Sequence, residues 1–177
     1  MRLGLAYLMK KRTRRSMRTM TINPDIRFYD TSSLLLKANT LFDNNEPFVI
    51  SSITLEELEN IKTSATRDAE VKYLARNLLR ALDDNSDKYF THIFTENMLE
   101  PIREKNLSIS NDMKILATAI DYNNNVRVDE VIFVTNDLLL KKIANLFFGD
   151  KMIETVGEEP DDYKGYMTIS LSDEEME

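Results

Sequence analysis

Short apolar runs alternate with longer helix-like segments along this sequence, and this alternation restricts the fold more than any other feature. The runs are apolar at almost every position, as in VIFVT at 131–135, and not only at every second position. Strands have this composition when helices cover both faces of a parallel sheet. The pattern therefore predicts three α/β/α layers around a central, mostly parallel five-stranded sheet. The predicted strands are 26–30, 47–52, 89–95, 130–135 and 152–156, with a further edge strand at 165–171.

The segments between these strands have the spacing of helices with one buried face. Apolar residues recur there at intervals of three and four positions. A polar stretch at 63–68 interrupts the longest segment, so we expect two helices in place of one. The predicted helical segments are 32–42, 54–84, 110–125 and 137–147.

The composition narrows the chemistry that this chain can support. Its 177 residues contain no cysteine and a single histidine, His92, which we expect to be structural. Disulfides, thiolate metal sites and a cysteine nucleophile are thereby excluded, and zinc sites and histidine triads are disfavoured. With four glycines there is no glycine-rich phosphate loop. Any metal must be held by carboxylate oxygens, which favour a hard ion such as Mg²⁺ or Mn²⁺.

The charge is distributed unevenly, and this suggests where the folded domain begins and ends. Residues 1–20 carry seven basic groups and no acid, whereas residues 150–177 carry ten acids and two lysines. We expect a basic arm at 1–22 that is disordered or partly helical, one folded domain at 23–171, and an acidic tail at 172–177. Apolar runs are far shorter than the roughly 20 residues that span a bilayer. We therefore expect a cytoplasmic protein that does not contact membranes.

Four acidic residues stand where predicted strands end or predicted helices begin. Asp30 and Asp137 end the first and fourth strands, and Glu57 and Asp112 lie in the first turns of two helices. Parallel strands end at one edge of a sheet, and ligands of open α/β folds bind at that edge. The four carboxylates are therefore expected to converge there.

Taken singly, most of these acids have a simple structural explanation. Asp112 and Asp137 are typical of helix starts, and Glu57 is typical of a helix surface. Asp30 differs because it follows an apolar strand that we expect to be central in the sheet, where an uncompensated charge is costly. Converging carboxylates repel one another unless a cation lies between them. Together the four predict a site for one or two Mg²⁺ or Mn²⁺ ions, and such sites are suited to phosphodiester hydrolysis.

Four short motifs, in order along the chain, resemble those of the PIN-domain ribonucleases. They are FYDTSSLLL with Asp30, ISSITLEELENIK with Glu57, SNDMKILATAI with Asp112, and VTNDLLLKKIA with Asp137. The resemblance covers residues 26–156 and makes 23–171 a PIN-like nuclease domain. The combination of EELENIK with DDYKGY at 161–166 is more similar to the PIN module of PhoH-type proteins than to VapC-type toxins.

The resemblance implies an Mg²⁺- or Mn²⁺-dependent endoribonuclease that hydrolyses single-stranded RNA and leaves a 5′-phosphate and a 3′-hydroxyl. It implies that the four acids are metal ligands and catalytic residues, and that one of them helps to deprotonate the attacking water. The residues expected to contact water or phosphate nearby are Ser32, Thr135, Asn136 and Lys62. Five further basic residues are candidates for phosphate contact, although each taken singly is explained equally well as a surface charge: Arg67, Arg76, Arg80, Lys141 and Lys142.

Several alternatives remain open from the sequence. The partners implied are single-stranded RNA, a PhoH-type ATPase or another regulator, and a second copy of the chain. A PIN-fold module that binds RNA or a partner without cleavage is the main alternative function. A receiver-type phosphoacceptor fits less well, because its third strand would end in aspartate and not in Thr95. Leu139 and Leu140 stand where some PIN enzymes have another acid, so the sequence does not decide between one and two bound metal ions.

Overall fold

The computed structural model describes residues 25–44, 46–125, 131–149 and 152–157. Several predicted features lie outside the described residues. They are the basic arm at 1–22, the domain boundaries at 23 and 171, the DDYKGY segment at 161–166, the late edge strand at 165–171 and the acidic tail at 172–177.

A five-stranded parallel sheet forms the centre of the described fold. Its strands are β1 (Ile26–Tyr29), β2 (Phe48–Ser51), β3 (Tyr89–His92), β4 (Val131–Val134) and β5 (Ile153–Glu154). Their order across the sheet is β3-β2-β1-β4-β5, and every neighbouring pair is parallel. The predicted α/β/α fold with five strands is confirmed. The strands are shorter than predicted, partly because residues at their carboxyl ends, such as Asp30, cap the following helices.

Six α-helices flank this sheet in the described part of the chain. They are α1 (Thr31–Leu36), α2 (Ser52–Thr63), α3 (Ala69–Asp84), α4 (Glu100–Glu104), α5 (Asn111–Asn125) and α6 (Leu138–Ala144). The predicted break between α2 and α3 is confirmed. The prediction of a helix over 32–42 was too long, because α1 ends at Leu36 and is followed by turns. Asn39, Thr40 and Asp43 in that stretch are poor helix formers. The sequence did not predict α4 or the 3₁₀ turn Glu96–Leu99 before it.

Two apolar clusters, one on each face of the sheet, hold the layers together. Phe28 and Phe133 are fully buried on one face, where α4, α5 and α6 pack. Tyr29 and Ile50 face the other side, toward α1 and α3 and part of α2. The alternation along β1 follows from the two-residue period of a strand. Phe28, Tyr29, Phe133 and Phe148 are buried and Phe147 is partly buried, so these aromatic side chains belong to the core.

The order of the strands determines which edge of the sheet can hold a ligand. From β1 the chain continues to β2 and β3 on one side, and β4 and β5 lie on the other side. A crevice forms at the carboxyl ends of strands where the direction of winding changes. Here that point is the end of β1 and β4, the two strands that Asp30 and Asp137 follow. No helix in the described ranges is both long and apolar enough to cross a membrane.

Candidate functional site

Asp30 follows the central strand β1 and caps α1. It is only 3% exposed, so its carboxylate depends on protein donors for hydrogen bonds. Oδ1 accepts from the backbone N–H of Ser33 at 2.7 Å, and Oδ2 accepts from the Thr135 hydroxyl at 2.7 Å. The Ser32 hydroxyl donates to both oxygens, at 3.2 and 3.0 Å. These donors hold the carboxylate in one orientation at the end of β1.

Thr135 connects the ends of the two central strands. It is fully buried directly after β4, where its hydroxyl donates to Asp30 and accepts from the backbone N–H of Asp137 at 3.1 Å. Asp137 in turn caps α6, with Oδ1 accepting from the backbone N–H of Leu140 at 2.8 Å. One hydroxyl therefore positions both strand-end acids relative to each other. Thr135 was predicted near the site, and this contact supports a positioning role.

Glu57 reaches the same region from α2. Its Oε2 accepts a hydrogen bond from the Thr31 hydroxyl at 2.5 Å, and Thr31 is the buried residue that follows Asp30. The neighbouring Glu56 is exposed and does not line the cleft described below. The structure thus brings Glu57, and not Glu56, into the same cleft as Asp30.

Asp112, in the first turn of α5, experiences the charges of the other three acids. Partial burial raises the pKa of Asp112 above its ordinary value, and the charges of Glu57, Asp137 and Asp30 raise it further. All four acids line the same cleft, which is described below. The four acids predicted from separate motifs therefore converge at one place.

An open cleft of about 510 Å³ contains this group of acids. Its walls also include polar and apolar side chains from the α2–α3 region, among them Asn60, Ile61, Ser64, Arg67 and Val71. A second cavity, of about 260 Å³, contains none of the four acids. Its residue Arg27 is paired with Glu46 and Glu154, each at 2.8 Å.

The donor atoms at the cleft fit a hard divalent cation. Carboxylates and hydroxyls offer only oxygen, which suits Mg²⁺ or Mn²⁺ and not a soft metal. In the arrangement that the described residues adopt, however, no three His, Cys, Asp or Glu side chains form a group that could hold one ion. Asp30 and Asp137 instead each accept a hydrogen bond from a backbone N–H in the first turn of the following helix. A shared cation therefore requires side-chain rotations that bring the carboxylate oxygens closer together.

Asn136 and Lys62 lie differently from what the sequence suggested. The Asn136 side chain both donates to the Val156 carbonyl and accepts from the Val156 N–H, each at 2.8 Å, so it joins the end of β4 to the segment after β5. Lys62 pairs with Glu59 at 2.6 Å and lines a separate groove. Five residues separate Lys62 from Glu57, a rotation of about 140° around a helix. Neither side chain lines the cleft, whereas Ser32 does.

The sequence reasoning missed or did not distinguish two residues that line the cleft. Thr31 was not singled out, although it directly follows Asp30 and orients Glu57. Arg67 was grouped with surface charges, although it lines the cleft. A usable signal existed for other wall residues, because Asn60, Ile61 and Ser64 lie three, four and seven positions after Glu57 and thus on its helix face.

His92 has a structural role, as expected. Its Nε2 lies 2.8 Å from Asp121 Oδ2, and its ring packs against Tyr122 at 5.3 Å between centroids. It does not line the cleft. The acidic side chains that line the cleft are all carboxylates of aspartate and glutamate, with no histidine among its described residues.

Comparison with known families and curated proteins gave one match. The sequence profile of the PIN domain family matches residues 28–147, which is more than half of the chain. No curated protein matches this sequence.

Solved structures similar to this one were found in bacteria and archaea. VapBC2 from Rickettsia felis, bound to a DNA fragment from its promoter, is 22% identical, with 73% of this chain and 98% of the other covered and a TM-score of 0.45. VapBC-5 from Mycobacterium tuberculosis, of the VapBC family of toxin-antitoxin systems, is 17% identical, with 75% and 98% covered and a TM-score of 0.47. A domain of a functionally unknown protein from Methanocaldococcus jannaschii is 19% identical, with 84% and 100% covered and a TM-score of 0.50. The last of these supports the fold alone.

Proposed function

Because the chain belongs to the PIN-domain family, we propose that it is a divalent-metal-dependent endoribonuclease that hydrolyses phosphodiester bonds of single-stranded RNA. The observation that carries this proposal is the convergence of four carboxylates on one cleft. Asp30, Glu57, Asp112 and Asp137 come from four separate segments, and the mutual repulsion at Asp112 has no evident structural benefit. A site built from repelling acids is expected where a cation is bound.

The four acids would hold one or two Mg²⁺ or Mn²⁺ ions. A bound ion of this kind neutralises charge on the phosphate and lowers the pKa of water. Leu139 and Leu140 leave one fewer acidic side chain than some PIN enzymes have, which favours a single ion. The oxygen-only donor set supports this class of ion.

The residues of the chain contribute positioning and proton transfer. Thr135 and Thr31 hold Asp30 and Glu57 through the hydrogen bonds described above. One of the four carboxylates takes a proton from the attacking water. The resulting hydroxide adds to phosphorus, and the bond from phosphorus to the 3′-oxygen breaks. This oxygen takes a proton from the protonated carboxyl group or from solvent water and leaves as a 3′-hydroxyl. The other product carries a 5′-phosphate.

Finer aspects of the function are proposed from the sequence resemblance. EELENIK and DDYKGY support a PIN module of the PhoH type, with a PhoH-type ATPase or another regulator as partner. A second copy of the chain is a further partner that we propose, and we assign the protein to the cytoplasm. The domain division into 1–22, 23–171 and 172–177 is likewise a proposal.

Cleavage of an unstructured, 5′-labelled RNA tests the proposed function. Wild type is compared with Asp112→Asn, in Mg²⁺, Mn²⁺ or EDTA. Glu56→Gln is the matched control because this exposed residue adjoins Glu57 but does not line the cleft. We expect cleavage by wild type and Glu56→Gln, and none in EDTA or with Asp112→Asn. Because the downstream product should carry a 5′-phosphate, we expect that it can be ligated without prior phosphorylation.

One observation favours a second candidate, a PIN module that binds RNA or a partner without cleavage. Within the described residues, the acids do not already form a group that could hold one ion. If wild type binds RNA but cuts none in either metal, while Glu56→Gln and Asp112→Asn bind RNA equally well, this second function is supported and the nuclease proposal fails.

A further inference from the structure

The cleft has one wall that the proposed chemistry does not use. This wall, which we call the α2–α3 wall, consists of Leu35 from α1, Ile61 from α2, Val71 from α3, and Arg67 between α2 and α3. The three apolar side chains are half-buried, so part of each remains accessible. An apolar surface beside a charged site, open to solvent, is a feature of ligand sites.

Arg67 lines the cleft from the turn that connects the two helices. The Ser64 hydroxyl accepts from the backbone N–H of Thr66 at 3.2 Å and of Arg67 at 3.3 Å. The Arg67 side chain is exposed and has no ion-pair partner among the described residues. It is also the only cationic residue among the described residues that line the cleft.

The charges at the cleft create a problem for binding a polyanion. Four carboxylates repel phosphate, and the chain as a whole has a net charge of −7. A cation at the acids can offset this repulsion only at the phosphate it contacts. A neighbouring phosphate needs its own positive partner, and guanidinium groups bind phosphate through two parallel hydrogen bonds. Arg67 is placed to supply that partner.

We propose that the α2–α3 wall is a nucleotide subsite next to the acids, in which Arg67 binds a backbone phosphate and Leu35, Ile61 and Val71 contact the base of the same strand. This proposal rests on the proposed function. It specifies the contacts that the chain makes with a nucleotide next to the reacting phosphate. Because a base paired in a duplex cannot turn toward the wall, the subsite also selects unpaired RNA.

Binding measured without cleavage tests this subsite. Fluorescence anisotropy of a labelled, unstructured RNA is recorded in EDTA with the full chain, over a series of salt concentrations. For single strands, each phosphate contact contributes about 0.7 to the slope of log K against log salt concentration. We expect Arg67→Ala to lower this slope by about 0.7 and to weaken binding about tenfold, and Arg67→Lys to keep the slope.

Two controls separate this subsite from general electrostatics and from misfolding. Arg80→Ala removes the same charge from an exposed position on α3 that does not line the cleft. It should leave the slope unchanged. Val71→Ser should weaken binding of normal RNA about threefold but not that of an RNA with abasic sites, since only the base loses contact. Melting temperatures of all variants establish that each is folded.

The outcomes distinguish this proposal from the proposed function. If wild type cleaves RNA but Arg67→Ala binds with an unchanged slope, the subsite is refuted and the nuclease stands. An equal loss in Arg67→Ala and Arg80→Ala also overturns it, because the effect is then one of net charge. If wild type neither binds nor cuts RNA, both proposals fail. Binding that depends on Arg67 without cleavage supports the subsite on a non-catalytic module.

Discussion

Thr135 and Thr54 offer a matched test of how the site is built. Both are fully buried, but the Thr135 hydroxyl makes two hydrogen bonds, whereas the Thr54 hydroxyl has no partner among the described residues. Replacing each by valine keeps the shape of the side chain and removes the hydroxyl. The same chemical change should therefore alter the free energy of unfolding in opposite directions.

The magnitudes follow from the contacts. Thr135→Val removes a hydrogen bond to the buried Asp30 carboxylate, which contributes about 1.5–3 kcal/mol, and leaves the Asp137 N–H without its acceptor. We expect a total loss of about 2–3 kcal/mol. Thr54→Val removes a buried hydroxyl that lacks a partner and should stabilise the fold by about 0.5–1 kcal/mol.

Urea unfolding in EDTA measures both changes without any contribution from bound cation. With a slope of about 1–3 kcal/mol per molar urea, the midpoint of Thr135→Val should fall by about 1–2 M, and that of Thr54→Val should rise slightly. Thr135→Ser, which keeps the hydroxyl, should lose only about 1 kcal/mol. Equal destabilisation by Thr135→Val and Thr135→Ser would refute the role of the hydroxyl, because the loss would then come from packing.

Three further predictions concern the surroundings of the site. Asn136→Ala should destabilise the fold by about 1–2 kcal/mol through the loss of both contacts to Val156, and urea midpoints that match wild type would contradict this. The pKa of Asp112 is raised in the folded protein, so ionisation of this carboxyl group destabilises the fold. The destabilisation grows as the pH rises from about 3.8, the ordinary pKa, through the raised pKa of the folded protein. Asp112→Asn should therefore stabilise the cation-free protein by roughly 0.5 kcal/mol at pH 7 and by nothing near pH 3, as thermal melts at both values would test. Thr31→Val should release Glu57 and lower Mn²⁺ affinity about tenfold, while an unchanged affinity in calorimetry would exclude this orienting role.

The sequence predicted those parts of the fold that continuous apolar runs encode. Strands buried on both faces, such as Val131–Val134, have a composition that few other structures share. Short elements such as α4 contain too few residues to show a period, and their positions depend on packing against Leu99 and Ile102. The helix after Asp30 was predicted too long because apolar residues continue past Leu36, although turns form there.

For the site, the sequence predicted the acids better than the side chains around them. Asp30 could be identified because a carboxylate directly after a buried strand is unusual. Lys62 was predicted near the site from its closeness in sequence to Glu57, whereas in the structure it pairs with Glu59 and lines a separate groove. Asn136 could not be placed, since its partner Val156 lies 20 residues away and is brought close only by the pairing of β4 with β5. The partnership of Thr31 with Glu57 likewise depends on tertiary structure.

The central claim is that the four acids share one cation site, and Mn²⁺ binding followed by electron paramagnetic resonance tests it most directly. Wild type is titrated beside Asp30→Asn, Glu57→Gln, Asp112→Asn and Asp137→Asn, with Glu56→Gln as the matched control. Shared coordination predicts that each of the four variants binds Mn²⁺ at least about tenfold more weakly than wild type, while Glu56→Gln binds normally. If wild type binds no Mn²⁺, or if the four variants bind it as wild type does, the acids are helix caps and surface charges, and the proposed function fails.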